Sequence, residues 1–149
     1  MTEVVTQIEI AAPTAEVWST IMDPRRLAEW VTIHRSLHAS SDGPPRAGDR
    51  MDQTLVLRGA PFRVHWELTV CEAPTHAEWR GRGPAHSRAA TVYRLTDLGD
   101  ARTRFDYRLE FHPPLGPLGA VAGRAVVGHL PQREAERSLL RLKSLLEGS

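Results

Sequence analysis

Charge of one sign, cysteine and long apolar runs are all scarce in this 149-residue chain. Nineteen basic residues stand against eighteen acidic ones, a formal charge of +1. That is too weak to draw a phosphate backbone non-specifically, so nucleic acid is not an expected partner. Cys71 is the single cysteine, which excludes an internal disulfide. No apolar run approaches the ~20 residues that span a bilayer. The N-terminus, MTEVVTQIEIAAP, alternates polar and apolar residues where a signal peptide needs a basic start and an apolar block. A soluble, reducing, cytoplasmic setting is expected. Lys143 is the sole lysine, a compositional bias that implies no function. The length fits one domain, residues 1–149.

The chain does carry two hydrophobic periods in succession. Residues 4–10, VVTQIEI, alternate and stop at Ala11-Ala12-Pro13, the pattern of a first strand. AEVWSTIM then carries Val17 with Ile21 and Trp18 with Met22 on neighbouring faces of a short helix. Asp23-Pro24 starts a second one, Asp23 as cap and Pro24 in the first turn, with Leu27, Trp30 and Val31 at helical spacing. From Ile33 to about Phe111 the period is two, punctuated by SDGPP, RGAP, EAPT, GRGP and DLGD, which describes an antiparallel meander. Phe62, Val64, Trp66, Leu68 and Val70 share one face of it, and Phe105, Tyr107, Leu109 and Phe111 another such face. The cover is a long amphipathic helix from about Leu115, with Ala135, Leu139, Leu142 and Leu146 at three- and four-residue spacing. Its first part, GPLGAVAGRAVVGHL, is small and apolar, and Pro131 is expected to kink or restart it.

A curved sheet of six or seven strands offers more concave surface than one helix covers, and glycine and alanine facing it leave space. Ligands commonly occupy such apolar hollows. The alternation turns Met51, Gln53, Leu55, Leu57, Trp66, Trp79, Ser87, Thr91, Tyr93 and Tyr107 inward. Trp30, His34, Gln53, Leu55, Trp66, Trp79, Tyr93, Tyr107, Val121 and Ala125 are the candidate ligand contacts. The pocket is expected between residues 116–129 and the inward faces around Gln53, Trp66 and Tyr93, with Trp30 and His34 near its mouth. Aromatic residues also serve simply as core. His34, Tyr93 and Gln53 are the candidates for catalysis, by hydrogen bonding or proton transfer.

Other chemistries lack their residues. His34 and His38 fall in a strand, where four residues span ~13 Å, too far for one ion, so no metal site is expected. Gly81-Arg82-Gly83-Pro84 is a turn with no helix after it, not a dinucleotide loop, and no G-x-S-x-G elbow occurs. Cys71 falls on the outer face by alternation, without an activating base. That face also carries Arg58, Arg63, Arg80, Arg82, Arg88, Arg94, Arg104 and Arg108, which solvated cross-strand ion pairs would explain. No cofactor is expected.

Ala12-Pro13-x-x-x-Val17-Trp18, Asp23-Pro24 with Trp30, and Trp66-Glu67-Leu68-Thr69-Val70 before Glu72-Ala73-Pro74 resemble the START-like superfamily, also called SRPBCC. Glu78-Trp79-Arg80-Gly81 and Leu115-Gly116-Pro117-Leu118 fit the same resemblance. It implies an α+β helix-grip fold of the START/Bet v 1 kind, in which a curved antiparallel sheet wraps a long C-terminal helix. Members include polyketide cyclases, aromatases and lipid carriers, so the implied partner is a hydrophobic small molecule. The implied activity, if any, is cofactor-independent cyclase or dehydratase chemistry. Glu29-Trp30-Val31-Thr32-Ile33-His34, Gly59-Ala60-Pro61-x-Arg63-x-x-Trp66 and Gly116-Pro117 resemble a narrower group of small mycobacterial proteins. Some of those are toxins of toxin–antitoxin pairs. Binding of a lipid, aromatic or polyketide-like molecule is therefore set against a toxin or interaction protein, with a cognate antitoxin or a second copy as its partner.

Overall fold

A computed structural model describes residues 2–113 and 130–148. Its element order is β1 (Thr2–Ile10), α1 (Thr14–Ile21), a 3-10 turn (Pro24–Arg26), α2 (Leu27–Trp30), β2 (His34–Ser40), β3 (Arg50–Leu57), β4 (Ala60–Glu72), β5 (His76–Arg82), a second 3-10 turn (Pro84–His86), β6 (Arg88–Gly99), β7 (Arg102–His112) and α3 (Leu130–Leu146). The strands form one seven-stranded antiparallel sheet in the order β1-β7-β6-β5-β4-β3-β2. Six consecutive strands from β2 to β7 pair as hairpins, because turn residues separate each period-two run. The β3–β4 turn places Arg58 and Gly59 at φ 52° and 76°, the left-handed pair a tight hairpin needs to match strand twist.

The inward expectation holds along β3, where Met51, Gln53, Leu55 and Leu57 are buried while Asp52, Thr54 and Val56 between them are not. It holds in β4 only as far as Leu68. A register shift between Leu68 and Val70 inserts a bulge, and an extra residue reverses the phase of everything after it. Val70 therefore leaves the inner face. Cys71, expected on the outside, is partly buried against the core with its Sγ donating to Pro45 O at 3.5 Å. Burial pushes the Cys71 thiol pKa up.

The helices lie across the concave face. Asp23 caps the first 3-10 turn as expected, its Oδ1 accepting from Arg25 N at 3.0 Å. Leu139 and Leu142 of α3 are buried in the core with Ile10, Val17, Leu68 and Phe105. Three contacts fasten α3 to the edge strand β1 and to Ala11 just beyond its end. Gln132 Nε2 donates to Val5 O at 3.0 Å, Lys143 Nζ to Glu9 O at 3.0 Å, and Ala11 N to Glu147 Oε2 at 2.8 Å. They cover an edge that would otherwise be free to pair with another strand. Pro131 is the second described residue of α3, and the segment before it that would show a kink or restart lies outside the described residues.

Candidate ligand cavity

Between sheet and helices lies a cavity of about 140 Å³, close in size to hollows that accept a single benzene ring. Trp30, Gln53, Leu55, Trp66, Trp79, Tyr93 and Tyr107 all line it. Val121, Ala125 and the rest of residues 116–129 lie outside the described residues. His34 does not line the cavity but reaches it through Gln53. Trp30 is not at a mouth: it is 1% exposed and packs against Tyr93 and Phe105, which in turn meet Tyr107, with contacting rings 5.4–6.4 Å apart. Its position comes from α2, a single turn that leaves the aromatic side chain aimed at the sheet.

The polar atoms of the cavity divide into satisfied and free. Trp66 Nε1 donates to Gln53 Oε1 at 3.0 Å, and Gln53 Nε2 lies 2.8 Å from His34 Nδ1. An indole nitrogen can only donate, so it must meet the amide oxygen, and the amide NH₂ must then face His34. Nδ1 is thus an acceptor and the His34 proton sits on Nε2. Burial lowers the His34 pKa, which favours this neutral form. Gln53 thus fixes the two rings with one donor and one acceptor. Gly81 makes the arrangement sterically possible. It pairs with Trp66 across β4–β5, and a Cβ there would come within 2.7 Å of the Trp66 ring and of Val64 Cγ1.

The Trp30 indole N–H is a buried side-chain donor with no acceptor among the described residues. The Thr91, Tyr93 and Tyr107 hydroxyls, on residues lining the same cavity, make no hydrogen bond to any described residue. Burial, with Tyr107 adding to it, pushes the Tyr93 phenol far above its usual range, and burial pushes that of Tyr107 up to about 12. Both phenols are therefore neutral O–H donors at physiological pH and not bases.

Sequence reasoning missed the bolt over the cavity. Thr32 N donates to Ser138 Oγ at 3.0 Å, Thr32 Oγ1 donates to Glu134 Oε2, and Ser138 Oγ donates to Glu134 O at 2.9 Å. Arg137 donates to the other Glu134 oxygen at 3.2 Å. Ser138 stands three residues from Ala135 and four from Leu142, so the helical period that marked those two also marked it as inward. Glu134 is the carboxylate lining the cavity, and no arginine, lysine or histidine lines it among the described residues. Those residues hold no cluster of three or more metal-ligating side chains, and no described helix is long and apolar enough to cross a membrane.

This geometry, a sheet gripping a helix over an apolar hollow, is that of helix-grip domains. The family model described as polyketide cyclase/dehydrase and lipid transport matches residues 1–147, and the chain belongs to that family. Among similar proteins, toxin Rv0910 of Mycobacterium tuberculosis is 22% identical over 120 residues, covering 80% of this chain and 83% of its own length. Uncharacterized protein Rv1546 of the same organism is 29% identical over 136 residues, covering 87% and 88%. The crystal structure of the Zhui aromatase/cyclase from a Streptomyces species superimposes with a TM-score of 0.80 at 15% identity, covering 98% of this chain and 93% of that one. At that identity the likeness is one of fold.

Proposed function

We propose that the chain binds an uncharged, ring-sized hydrophobic molecule, lipid-, aromatic- or polyketide-like, that carries an oxygen acceptor. The unsatisfied Trp30 N–H carries this reading, because a buried donor without a partner costs about 1–3 kcal/mol that a bound acceptor would recover. The Thr91, Tyr93 and Tyr107 hydroxyls add to the donor surface. The lack of a lining cation among the described residues disfavours a carboxylate ligand, which would be buried without a counter-charge.

The enzymatic form of this reading is a cofactor-independent cyclase, aromatase or dehydratase step. A ligand carbonyl accepting from the Tyr93 or Tyr107 phenol would be polarised toward its enol, with Glu134 as the lining carboxylate able to take the α-proton. His34 and Gln53 would act at one remove, by holding Trp66.

Acetophenone, its hydrocarbon isostere α-methylstyrene and benzoate test the reading, with the tryptophan indole N–H resonances as readout. The expected result is a downfield shift of the Trp30 signal with the ketone, at least about tenfold weaker binding of the hydrocarbon, and no binding of benzoate. Trp30→Phe, which keeps a ring, should abolish the ketone's advantage. Equal affinity for ketone and hydrocarbon would remove the acceptor claim, and no binding of either would remove the cavity reading.

A second reading, a toxin or other interaction protein with a cognate antitoxin, is supported by the toxin name of one relative and by arginines of the outer face that have no ion-pair partner among the described residues. Growth arrest on expression, relieved by an adjacent short reading frame, is its test. Normal growth would count against it.

A further inference from the structure

The outer face of the sheet is largely neutralised by its own ion pairs. Arg63 meets Asp52 at 3.5 Å, Arg104 meets Asp106 at 3.0 Å, and Arg108 meets Glu3 at 2.7 Å and Glu110 at 2.9 Å. Arg58, Arg80, Arg82, Arg88 and Arg94 have no ion pair among the described residues, and of these only Arg82 and Arg88 face each other across neighbouring strands. Cross-strand register forms a transverse row that places His65, itself held to Asp52 Oδ1 at 2.7 Å, beside Arg82, Arg82 directly opposite Arg88, and Arg88 opposite His112. All four are exposed, and neither arginine has a carboxylate within ion-pair distance among the described residues. Like charges directly opposite each other on neighbouring strands destabilise a sheet. The fold therefore holds an electrostatic cost here that a carboxylate at either position would have relieved.

We infer that this row is a docking surface for an acidic helical segment of a protein partner, with Arg82 and Arg88 as its paired anchors. Directly opposed cross-strand residues have Cβ atoms ~4.5–5.5 Å apart. Residues at positions i and i+4 of a helix likewise have Cβ atoms ~5–6 Å apart, so a glutamate at each can meet one guanidinium. From His65 to His112 the row crosses three strand spacings, ~14 Å, the length of about ten helical residues. The hollow above it, about 1070 Å³, is far too wide for one small anion. A long phosphate backbone fits less well, because it would carry charge along its whole length past Asp52, Glu67 and Glu110, which border the same hollow, whereas a helix can confine its carboxylates to the two that meet Arg82 and Arg88. The inference is independent of the cavity and gives the interaction reading its surface and partner chemistry.

The test uses the full chain and an alanine-based helical peptide with glutamates four residues apart, followed by fluorescence anisotropy at ~0.15 M salt. Expected results are binding that Arg82→Gln and Arg88→Gln each weaken about tenfold, while Arg94→Gln, an exposed arginine outside the row, changes it less than about twofold. The same peptide with glutamine for glutamate should not bind. Arg88→Glu, which sets a carboxylate opposite Arg82, should lose the peptide and raise the melting midpoint by a few degrees, so the loss cannot come from unfolding. The inference is overturned by no peptide binding, by Arg94→Gln weakening it equally, by an unchanged or lower midpoint in Arg88→Glu, or by an oligothymidylate binding more tightly than the peptide.

Discussion

The Trp66 indole donates to the Gln53 carbonyl at 3.0 Å inside the sheet, and this one bond sets both the Gln53 amide orientation and the His34 tautomer. Trp66→Phe leaves a buried amide oxygen without a donor. The expected loss is ~1–3 kcal/mol, read from the denaturant midpoint. The imidazole ¹⁵N shifts of His34 should also move away from a pure Nε2–H form, which a simple packing defect would leave in place.

Gly81→Ala is expected to destabilise by ~1–3 kcal/mol, as overpacking of a filled site does. The added Cβ meets the Trp66 ring and Val64 at 2.7 Å, so thermal melting should fall, and Trp66 fluorescence should shift as the ring is displaced. Gly59→Ala, with open space around it, tests φ strain alone.

The Thr32 bolt predicts a local effect. Thr32→Val removes the hydroxyl that donates to Glu134 at a cost of ~1–2 kcal/mol. Amide exchange should quicken in the first turns of α3 and leave β5 and β6 unchanged.

Two titrations act at opposite ends of the pH scale. The folded state lowers the His34 pKa by burial, so below about 6.5 the unfolded chain binds the proton more readily than the folded one. Stability from this residue is present above that value and is lost as pH falls toward the folded pKa. Between pH 7.5 and 5, His34→Gln should lose less stability than the parent chain. The chain has two tyrosines, and both resist ionisation because of burial. From about pH 10, where an unfolded tyrosine ionises, stability should fall as pH rises. Tyrosinate absorbance should appear together with unfolding and not before it.

Period-two alternation made the meander and most of its inward residues legible, because a sheet with one covered face sorts side chains by parity. Parity fails where a bulge adds a residue, which is why Cys71 and Val70 exchanged faces with no sign in the sequence. Helical spacing likewise marked Leu139 and Leu142 as core. It marked Ser138 too, but polarity concealed that residue among expected surface positions.

What the sequence determined by itself is the order of elements, the antiparallel pairing and the apolar faces, since local turn chemistry and hydrophobic period act over a few neighbouring residues. Only the tertiary structure decided which polar groups are spent and which are free. Gln53, a candidate ligand contact from its inward position, is committed to Trp66 and His34, while the Trp30 donor is left over. Hydrogen-bond satisfaction depends on which atoms meet across distant strands, and no local pattern encodes those meetings. The pairing of Arg82 with Arg88 was likewise invisible until register set the two arginines side by side.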